Sequence, residues 1–158
     1  MKRKKLVKII KHRKRLKEQN KYRPLVGQKL TDALDQTVRD ILHLKYPEGI
    51  CFVSGNKYGW FHPKTNPRGC QVGHYISRRV FALRWDLKNV FPQGAAENQT
   101  HQWNTLPFTN RILEVYGKER IDYLNKKYHG YKKQKMTTLE KRAILGDLKK
   151  QLQELIDK

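Results

Sequence analysis

The excess of positive charge is the feature that most constrains what this chain can fold into and bind. Its 158 residues include 35 Lys and Arg against 14 Asp and Glu, a formal net charge of +21. Such a chain repels itself unless a polyanion neutralises it. Nucleic acid is the first candidate partner, because cationic side chains gain affinity by contacting phosphates and releasing counterions. An anionic membrane surface is the weaker candidate. Ribosomal proteins share this composition, so charge alone does not separate a nuclease from an RNA-binding protein.

The apolar content limits the size of the core. Hydrophobic residues make up 37% of the chain and aromatic residues 10%, which suits one domain with an appended arm. No apolar run reaches membrane-spanning length, and no apolar segment follows the basic N-terminus, so we expect neither a transmembrane helix nor a secretory signal. The two cysteines, Cys51 and Cys70, form no disulfide framework, and a reduced cytoplasmic protein is the simpler expectation.

Residues 1–23 form a basic N-terminal arm. They contain 12 Lys or Arg and a single acid, Glu18. We expect this arm to be disordered alone and to become helical on a phosphate backbone. The competing interpretation is a solvated tail that only improves solubility.

Residues 24–136 are predicted to form the main domain. Apolar residues recur every three and four positions over residues 28–46, which indicates an amphipathic helix with Thr31 or Asp32 as its cap. Residues 50–91 contain short β-prone runs, "ICFV", "CQVGHYIS" and "RVFALRW", separated by turn-rich segments. Helical segments follow. The expected fold class is therefore α+β with little sheet.

Residues 137–158 are predicted to form a C-terminal helix. Thr137 and Glu140 fit a capping box at its start. Leucines then recur at positions 145, 148, 152 and 155. This leucine seam suits packing on the domain or on another helix.

One histidine and two asparagines follow the first β-prone runs at suggestive spacings. Asn89 lies 15 positions after His74 (89 − 74), and Asn98 lies 9 positions after Asn89 (98 − 89). A β-hairpin followed by a helix can bring three such residues to one pocket. There a neutral imidazole can take a proton from water, and an asparagine oxygen can help hold a divalent cation on a phosphate. Taken singly, they would be a strand histidine, a turn residue and a helix N-cap.

Four motifs in order resemble a known family. "VGHYISRR", "LRWDLKNVFPQ", "ENQTHQWN" and "RILEVYGKERIDYL" are similar to successive stretches of the phage NinG, or Rap, recombination proteins, and the resemblance covers about residues 22–157. The His, Asn, Asn spacing also resembles that of the HNH, or His-metal finger, nucleases.

The resemblance implies a ββα-metal core with flanking helices and a small endonuclease for branched DNA, such as four-way (Holliday) junctions and D-loops. His74 then takes the role of general base, Asn89 the supporting middle position of the catalytic triplet, and Asn98 the ligand of one Mg²⁺ or Mn²⁺ ion. Because junction cleavage is symmetric, we expect a homodimer, with the leucine seam as a candidate interface. A bacterial host cytoplasm is the expected location.

The sequence departs from this family at a structural zinc site built from four cysteines. The corresponding positions here are Cys51, Ser54, Gly94 and Glu97. Three of the four thiolates are absent, so we expect no structural zinc. A substitute site from Cys51, Cys70 and His62 would lack paired spacing and a fourth ligand, and two buried, inert thiols are the preferred interpretation.

A second departure concerns the metal. Many HNH enzymes carry Asp or His directly before the catalytic histidine as a further ligand, whereas this chain has Gly73. Glu97 and His101 share one helix face and are candidates to supplement Asn98 as metal ligands. Glu97 also occupies a lost cysteine position, so it has a plain surface interpretation as well.

Several cations are candidate phosphate contacts. They are Arg78, Arg79, Arg84, Lys88, Lys126, Lys127, Lys132 and Lys133. Arginines make good phosphate clamps. In residues 125–135, lysines alternate with aromatic residues, as in segments that track a nucleic-acid backbone and stack on bases. A solvated basic face, or an exposed linker between helices, is the competing interpretation.

Two other functions stay open at the level of sequence. The lost zinc ligands and the glycine at position 73 would fit an HNH-fold protein that binds DNA without cleaving it. The charge alone would fit a basic RNA-binding or ribosome-associated protein.

Overall fold

The computed structural model describes residues 3–19, 24–131 and 135–158. Within these ranges the protein is mostly helical α+β, with seven helices and one two-stranded antiparallel sheet, which confirms the predicted fold class. In chain order the elements are α1 (Arg3–Gln19), α2 (Gly27–Lys45), β1 (Gln71–His74), α3 (Phe81–Arg84), β2 (Val90–Gln93), α4 (Ala95–Thr100), α5 (Leu106–Tyr116), α6 (Lys118–Tyr131) and α7 (Thr138–Asp157). No helix in the described ranges is long and apolar enough to cross a membrane.

The described residues divide into two compact units. One comprises those of Met1–Pro47 together with Thr137–Lys158, and the other those of Glu48–Met136. This division assigns α2 to the unit of the terminal helices, whereas the sequence predicts a domain over residues 24–136.

The first unit consists of α1, α2 and α7. Helix α2 begins at Gly27, and Thr31 lies inside the helix, where its hydroxyl donates to the Gly27 carbonyl oxygen, so the prediction of a cap at residue 31 or 32 was wrong. Helix α7 begins at the predicted capping box: Thr137 Oγ1 accepts from the Glu140 backbone N–H, and the Glu140 carboxylate accepts from the Thr137 backbone N–H.

The leucine seam of α7 is used inside this unit. Helices α2 and α7 pack along each other, and Leu145 and Leu148 are buried. Leu152 and Leu155 pack on a small cluster around Ile10 of α1 and Leu44 of α2. The seam therefore does what an amphipathic helix does in a helical bundle: its leucines, two of them buried and two half-buried, pack within their own unit.

The second unit is built around β1 and β2, which pair antiparallel with His74 opposite Val90 and Gln71 opposite Gln93. Phe91 of β2 forms the core together with Phe108 and Ile112 of α5, with Phe52 and Tyr116 packed against it. Two of the predicted extended runs differ. "RVFALRW" contains the helical turn α3, and "ICFV" contributes only an isolated bridge from Ile50 to Lys57.

A close approach of two backbone segments shapes the loops before β1. Gly49 has a φ of 61°, and a Cβ atom there would lie 2.6 Å from the Gly59 carbonyl oxygen. Gly59 also has a positive φ, of 68°. Glycine supplies both the left-handed conformation and the space that this close crossing requires.

Candidate functional site

The candidate site lies on β1, β2 and α4. His74 is the last residue of β1, and its ring Nε2 lies 2.9 Å from the backbone carbonyl oxygen of Arg84, at the end of α3. A carbonyl oxygen can only accept, so Nε2 carries the hydrogen and the lone pair of the neutral ring is on Nδ1. The fold thereby selects one tautomer, in which Nδ1 is the atom that would take a proton from water.

Asn89 is fully buried, at 0% exposure, and holds the segment that follows His74. Its Oδ1 accepts from the Ile76 backbone N–H at 2.8 Å, while its Nδ2 donates to the carbonyl oxygens of Ile76, at 2.8 Å, and Leu83, at 3.0 Å. These bonds join the loop after β1 to α3, whose last carbonyl holds the His74 ring. Asn89 is placed to position the site rather than to touch a substrate.

Asn98 lies in the first turn of α4, as its spacing predicts. Its Nδ2 donates to Gln71 Oε1 at 3.0 Å, which turns its Oδ1 away from Gln71. Gln71 and His74 are three positions apart in β1, so their side chains leave opposite faces of the strand. The described contacts accordingly place the Asn98 amide on one face of β1 and the His74 ring on the other, against α3. They do not bring the two side chains to one pocket.

Gly73 is packed against Gln93, a residue of β2 that is only 1% exposed. A Cβ atom at position 73 would collide with Gln93 Oε1 and lie 2.7 Å from Gln93 Cβ. Gln93 Nε2 donates to the Glu97 carbonyl oxygen at 3.3 Å, which fixes the amide beside the glycine. In this packing, position 73 has no room for a side chain such as that of Asp or His.

Glu97 of α4 is engaged by the loop over residues 51–58. Its Oε1 accepts from Ser54 Oγ at 2.7 Å and from the Tyr58 hydroxyl at 2.8 Å. Burial alone would raise the pKa of Glu97, but the hydrogen bonds from Ser54 and Tyr58, with a smaller contribution from the Cys51 thiol, outweigh it and lower the pKa. A Cβ at Gly94 would also contact Glu97 Oε2.

Cys51, Ser54, Gly94 and Glu97 lie close together here. Hydrogen bonds among Ser54, Tyr58 and Glu97 tie the 51–58 loop to α4. Within the described part of the chain, no group of three or more His, Cys, Asp or Glu side chains is arranged to hold a metal ion.

His101, the other candidate supplementary ligand, is also engaged. Its Nε2 lies 2.8 Å from the Tyr75 carbonyl oxygen, and its ring packs edge-on against Phe108, with centroids 4.8 Å apart. Its Nδ1 is buried and has no hydrogen-bond partner among the described residues. Neither Glu97 nor His101 is directed toward Asn98 by these contacts.

The two cysteines are free, buried thiols. Burial, followed by the nearby Cys51 thiol and the Glu97 carboxylate, raises the pKa of Cys70 to about 12, and its Sγ donates to the Gly49 carbonyl oxygen at 3.1 Å. A thiol with such a pKa is a poor nucleophile and metal ligand. His62 is exposed, and its Nδ1 accepts from the backbone N–H groups of Lys64 and Thr65.

The candidate phosphate contacts divide by exposure. Arg78, Arg79, Lys88 and Lys126 are exposed, whereas Arg84 and Lys127 are half-buried. Lys127 forms an ion pair with Asp86 at 2.7 Å, and the Arg84 guanidinium lies over the Trp85 ring. Lys132 and Lys133 lie outside the described residues.

Sequence reasoning does not single out Gln93 or Asp86, which both contact segments that carry the site. The one signal for Asp86 is that it is the only acid within residues 78–88. Gln93 offers no such signal, because its importance depends on the strand opposite it.

Comparison of the chain with protein-family models, with curated proteins and with solved structures finds no match.

Proposed function

We propose that this protein is a metal-dependent endonuclease of the HNH type that cleaves branched DNA. The observation that supports it most directly is the fixed tautomer of His74 at the end of β1, set by the hydrogen bond from Nε2 to the Arg84 carbonyl oxygen. The same β1–β2–α4 segment carries Asn89 and Asn98 at the spacings of the HNH triplet. The family resemblance of the sequence supports the choice of branched DNA.

In the proposed reaction, His74 Nδ1 takes a proton from a water molecule, whose oxygen forms a bond to the phosphorus. The bond from phosphorus to the leaving oxygen breaks, and the leaving oxygen takes up a proton from solvent water. Asn98 Oδ1 is the chain's candidate ligand for Mg²⁺ or Mn²⁺. One neutral oxygen fits such an ion because Mg²⁺ keeps several waters. When bound, the ion supplies charge stabilisation at the phosphate and the leaving oxygen.

For His74 to activate the water while Asn98 holds the metal ion, the His74 ring and Asn98 Oδ1 must face the same phosphate. This requires that DNA reach the His74 edge of β1 from the side of α4. The exposed cations Arg78 and Arg79, which follow His74 by four and five positions, would contact the neighbouring phosphates. The net charge of +21 would draw the polyanion to the protein over a wider surface.

The proposal is tested by cleavage of an end-labelled four-way junction in Mg²⁺ and in Mn²⁺. His74→Ala should lower the cleavage rate on the order of 100-fold or more, the usual contribution of a general base. His62→Ala is the matched control, because His62 is exposed, and it should cleave as the wild type does. Equal cleavage by the wild type and His74→Ala, or no cleavage by either, would contradict the nuclease proposal.

A protein that binds branched DNA without cleaving it is the second candidate. Two observations favour it: the Asn98 amide and the His74 ring lie on opposite faces of β1, and Gln93 fills the space beside Gly73. In that case the wild type, His74→Ala and Asn98→Ala would bind the junction equally and leave it intact. Binding would weaken steeply with salt in both cases, so the cleavage assay decides between them.

The proposal includes a homodimer, since two strands of a junction must be cut. The leucine seam is buried within its own unit, so the dimer would need another surface. Light scattering of the protein with and without a junction tests this. A monomeric mass in both samples at micromolar concentration would exclude the dimer under those conditions.

A further inference from the structure

Asp86 forms a half-buried cluster with Tyr123 and Lys127 of α6. This cluster holds the segment whose Arg84 carbonyl oxygen bonds the His74 ring. Asp86 lies two residues after Arg84, whose carbonyl oxygen accepts the His74 hydrogen bond. Its Oδ2 accepts from the Tyr123 hydroxyl at 2.7 Å and from Lys127 Nζ at 2.7 Å. Lys127 Nζ also donates to the Tyr123 oxygen at 3.1 Å. The three side chains form a closed triangle of hydrogen bonds.

The same carboxylate organises the backbone around it. Asp86 Oδ1 accepts from the Lys88 N–H at 2.9 Å, and the Asp86 carbonyl oxygen accepts from the Asn89 N–H at 2.9 Å. From α6, Arg120 Nη1 donates to the Lys88 carbonyl oxygen at 3.2 Å. Residues 84–89 are thus held from one side by α6 and from the other by the buried Asn89 side chain.

The Asp86 carboxylate and the Lys127 ammonium group stabilise each other's charged form. The Asp86 side chain is 9% exposed and that of Lys127 is 31% exposed, so solvent screens the pair much less than a surface ion pair. Burial alone would raise the pKa of Asp86, but the hydrogen bonds from Lys127 and Tyr123 outweigh it and lower that pKa. Burial lowers the pKa of Lys127, and the bond to Asp86 reverses this and raises it. Both groups stay charged near neutral pH.

We infer that Asp86 is a positioning residue for His74, which acts through α6 and the Arg84 carbonyl oxygen. The Asp86–Tyr123–Lys127 triangle fixes the path of residues 84–89, the Arg84 carbonyl fixes the hydrogen on His74 Nε2, and the lone pair is thereby kept on Nδ1. Lys127 then serves as a partner of Asp86 and not as a phosphate contact. The catalytic part of this inference rests on the proposed function.

The test combines a spectroscopic and a kinetic measurement on the full chain. The variants are Asp86→Asn and Lys127→Gln, with Lys149→Gln as the control, because Lys149 is an exposed lysine of α7 that is not among the candidate phosphate contacts. Nitrogen-15 NMR of the histidine rings, assigned with His74→Ala, reports the His74 tautomer and needs no substrate. The pH–rate profile of junction cleavage and the dissociation constant for the junction are measured on the same proteins.

For Asp86→Asn and Lys127→Gln we expect a larger fraction of the His74 tautomer that carries the hydrogen on Nδ1. Cleavage at saturating junction should fall on the order of 10-fold to 100-fold, the effect of a misplaced catalytic group. The dissociation constant should change by less than about 3-fold, since Lys127 is not a phosphate contact in this scheme. Lys149→Gln should leave the tautomer and the rate at saturation unchanged.

An unchanged His74 tautomer in both variants would overturn the inference, whatever the wild type cleaves. A tautomer shift in the two variants, together with a wild type that does not cleave, would support the positioning role and contradict the proposed function, so the two failures are distinguishable. If Asp86→Asn does not fold, Lys127→Gln and Tyr123→Phe carry the same measurement. A rate loss that only follows the loss of folded protein, at a constant tautomer, would mark the cluster as purely structural.

Discussion

Gly73 and Gln93 are packed so closely across β1 and β2 that residue 73 has no room for a side chain. A Cβ atom at position 73 would meet both the amide oxygen and, at 2.7 Å, the Cβ of Gln93. Gln93 is fixed by its own hydrogen bond to the Glu97 carbonyl and is almost completely buried. The glycine before His74 is thus a packing requirement of the hairpin in this protein.

Gly73→Ala should therefore lower the free energy of unfolding by about 1–3 kcal/mol, as overpacking in a core does. Gly73→Asp should cost more, because it adds a buried charge. The double variant Gly73→Ala/Gln93→Ala should be less destabilised than the sum of its single changes. Unfolding in urea, followed by circular dichroism, measures all of them.

The control for this prediction is Gly130→Ala in α6. A Cβ at Gly130 meets no atom within 4 Å, so alanine there should be neutral or stabilise by about 0.5–1 kcal/mol through helix propensity. Equal unfolding free energies for Gly73→Ala and Gly130→Ala would show that the hairpin tolerates the added atom.

The three hydrogen bonds of Asn89 give a second prediction. Asn89→Ala leaves the N–H and carbonyl of Ile76 and the Leu83 carbonyl without their side-chain partner in a buried place, so it should destabilise the protein by about 3 kcal/mol or more. Asn110→Ala, an exposed position on α5, should change stability by less than about 0.5 kcal/mol. Thermal or urea unfolding compares them. A stable Asn89→Ala protein that has lost only cleavage would instead mark Asn89 as a catalytic group.

Local patterns predicted the elements whose causes are local. The apolar spacing of α2 and the Thr137–Glu140 capping box both identified real helices, because each signal lies within one turn or one face. "RVFALRW" was predicted to be extended, yet it contains α3, whose Leu83 carbonyl is held by Asn89 from six residues away. A contact with a residue outside the segment can override β-propensity and leaves no trace in the segment itself.

In the candidate site, too, the sequence predicted local features but not the contacts between elements. Spacing alone put His74 near a strand end and Asn98 in the first turn of a helix, as the structure has them. It did not predict that Arg84 supplies the carbonyl for the His74 ring or that Gln93 occupies the space beside Gly73. These contacts depend on the register of β1 with β2 and on the path of α3, which no single stretch of sequence encodes.

His43 in α2 should make stability depend on pH. Burial, followed by the charges of Arg39 and Arg13, lowers the pKa of His43 from 6.5 to about 4. Between these two pH values the unfolded chain binds more protons than the folded one. The contribution of neutral His43 to stability is therefore full above about pH 6.5 and is lost as pH falls toward 4. The loss should be on the order of 1–3 kcal/mol, discounted for the partial exposure of the ring.

Urea unfolding at several pH values tests this, with His43→Gln as the control that cannot titrate. The carboxyl groups of Asp86 and Glu97 do not overlap with most of the window, because their pKa values are lowered from 3.8 and 4.5 and they lose stability only at more acid pH. The slope between pH 6.5 and 5 should flatten in His43→Gln. An identical slope in both proteins would assign it to another group.

The contacts of Glu97 with the 51–58 loop predict how a metal site could be introduced into the protein. Ser54 and Glu97 are in direct contact, and the Cys51 thiol lies beside the same carboxylate. Ser54→Cys/Glu97→Cys would therefore bring three thiolates together, with a water as fourth ligand, which suits tetrahedral Zn²⁺ or Co²⁺. We expect this variant to bind one equivalent of Co²⁺ with thiolate charge-transfer absorption, and Zn²⁺ to raise its melting temperature.

The same pair of changes combined with Cys51→Ser should bind the metal far more weakly, and chelator should leave the melting temperature of the wild type unchanged. Absence of the cobalt absorption in Ser54→Cys/Glu97→Cys would mean that the three positions do not converge closely enough to share an ion.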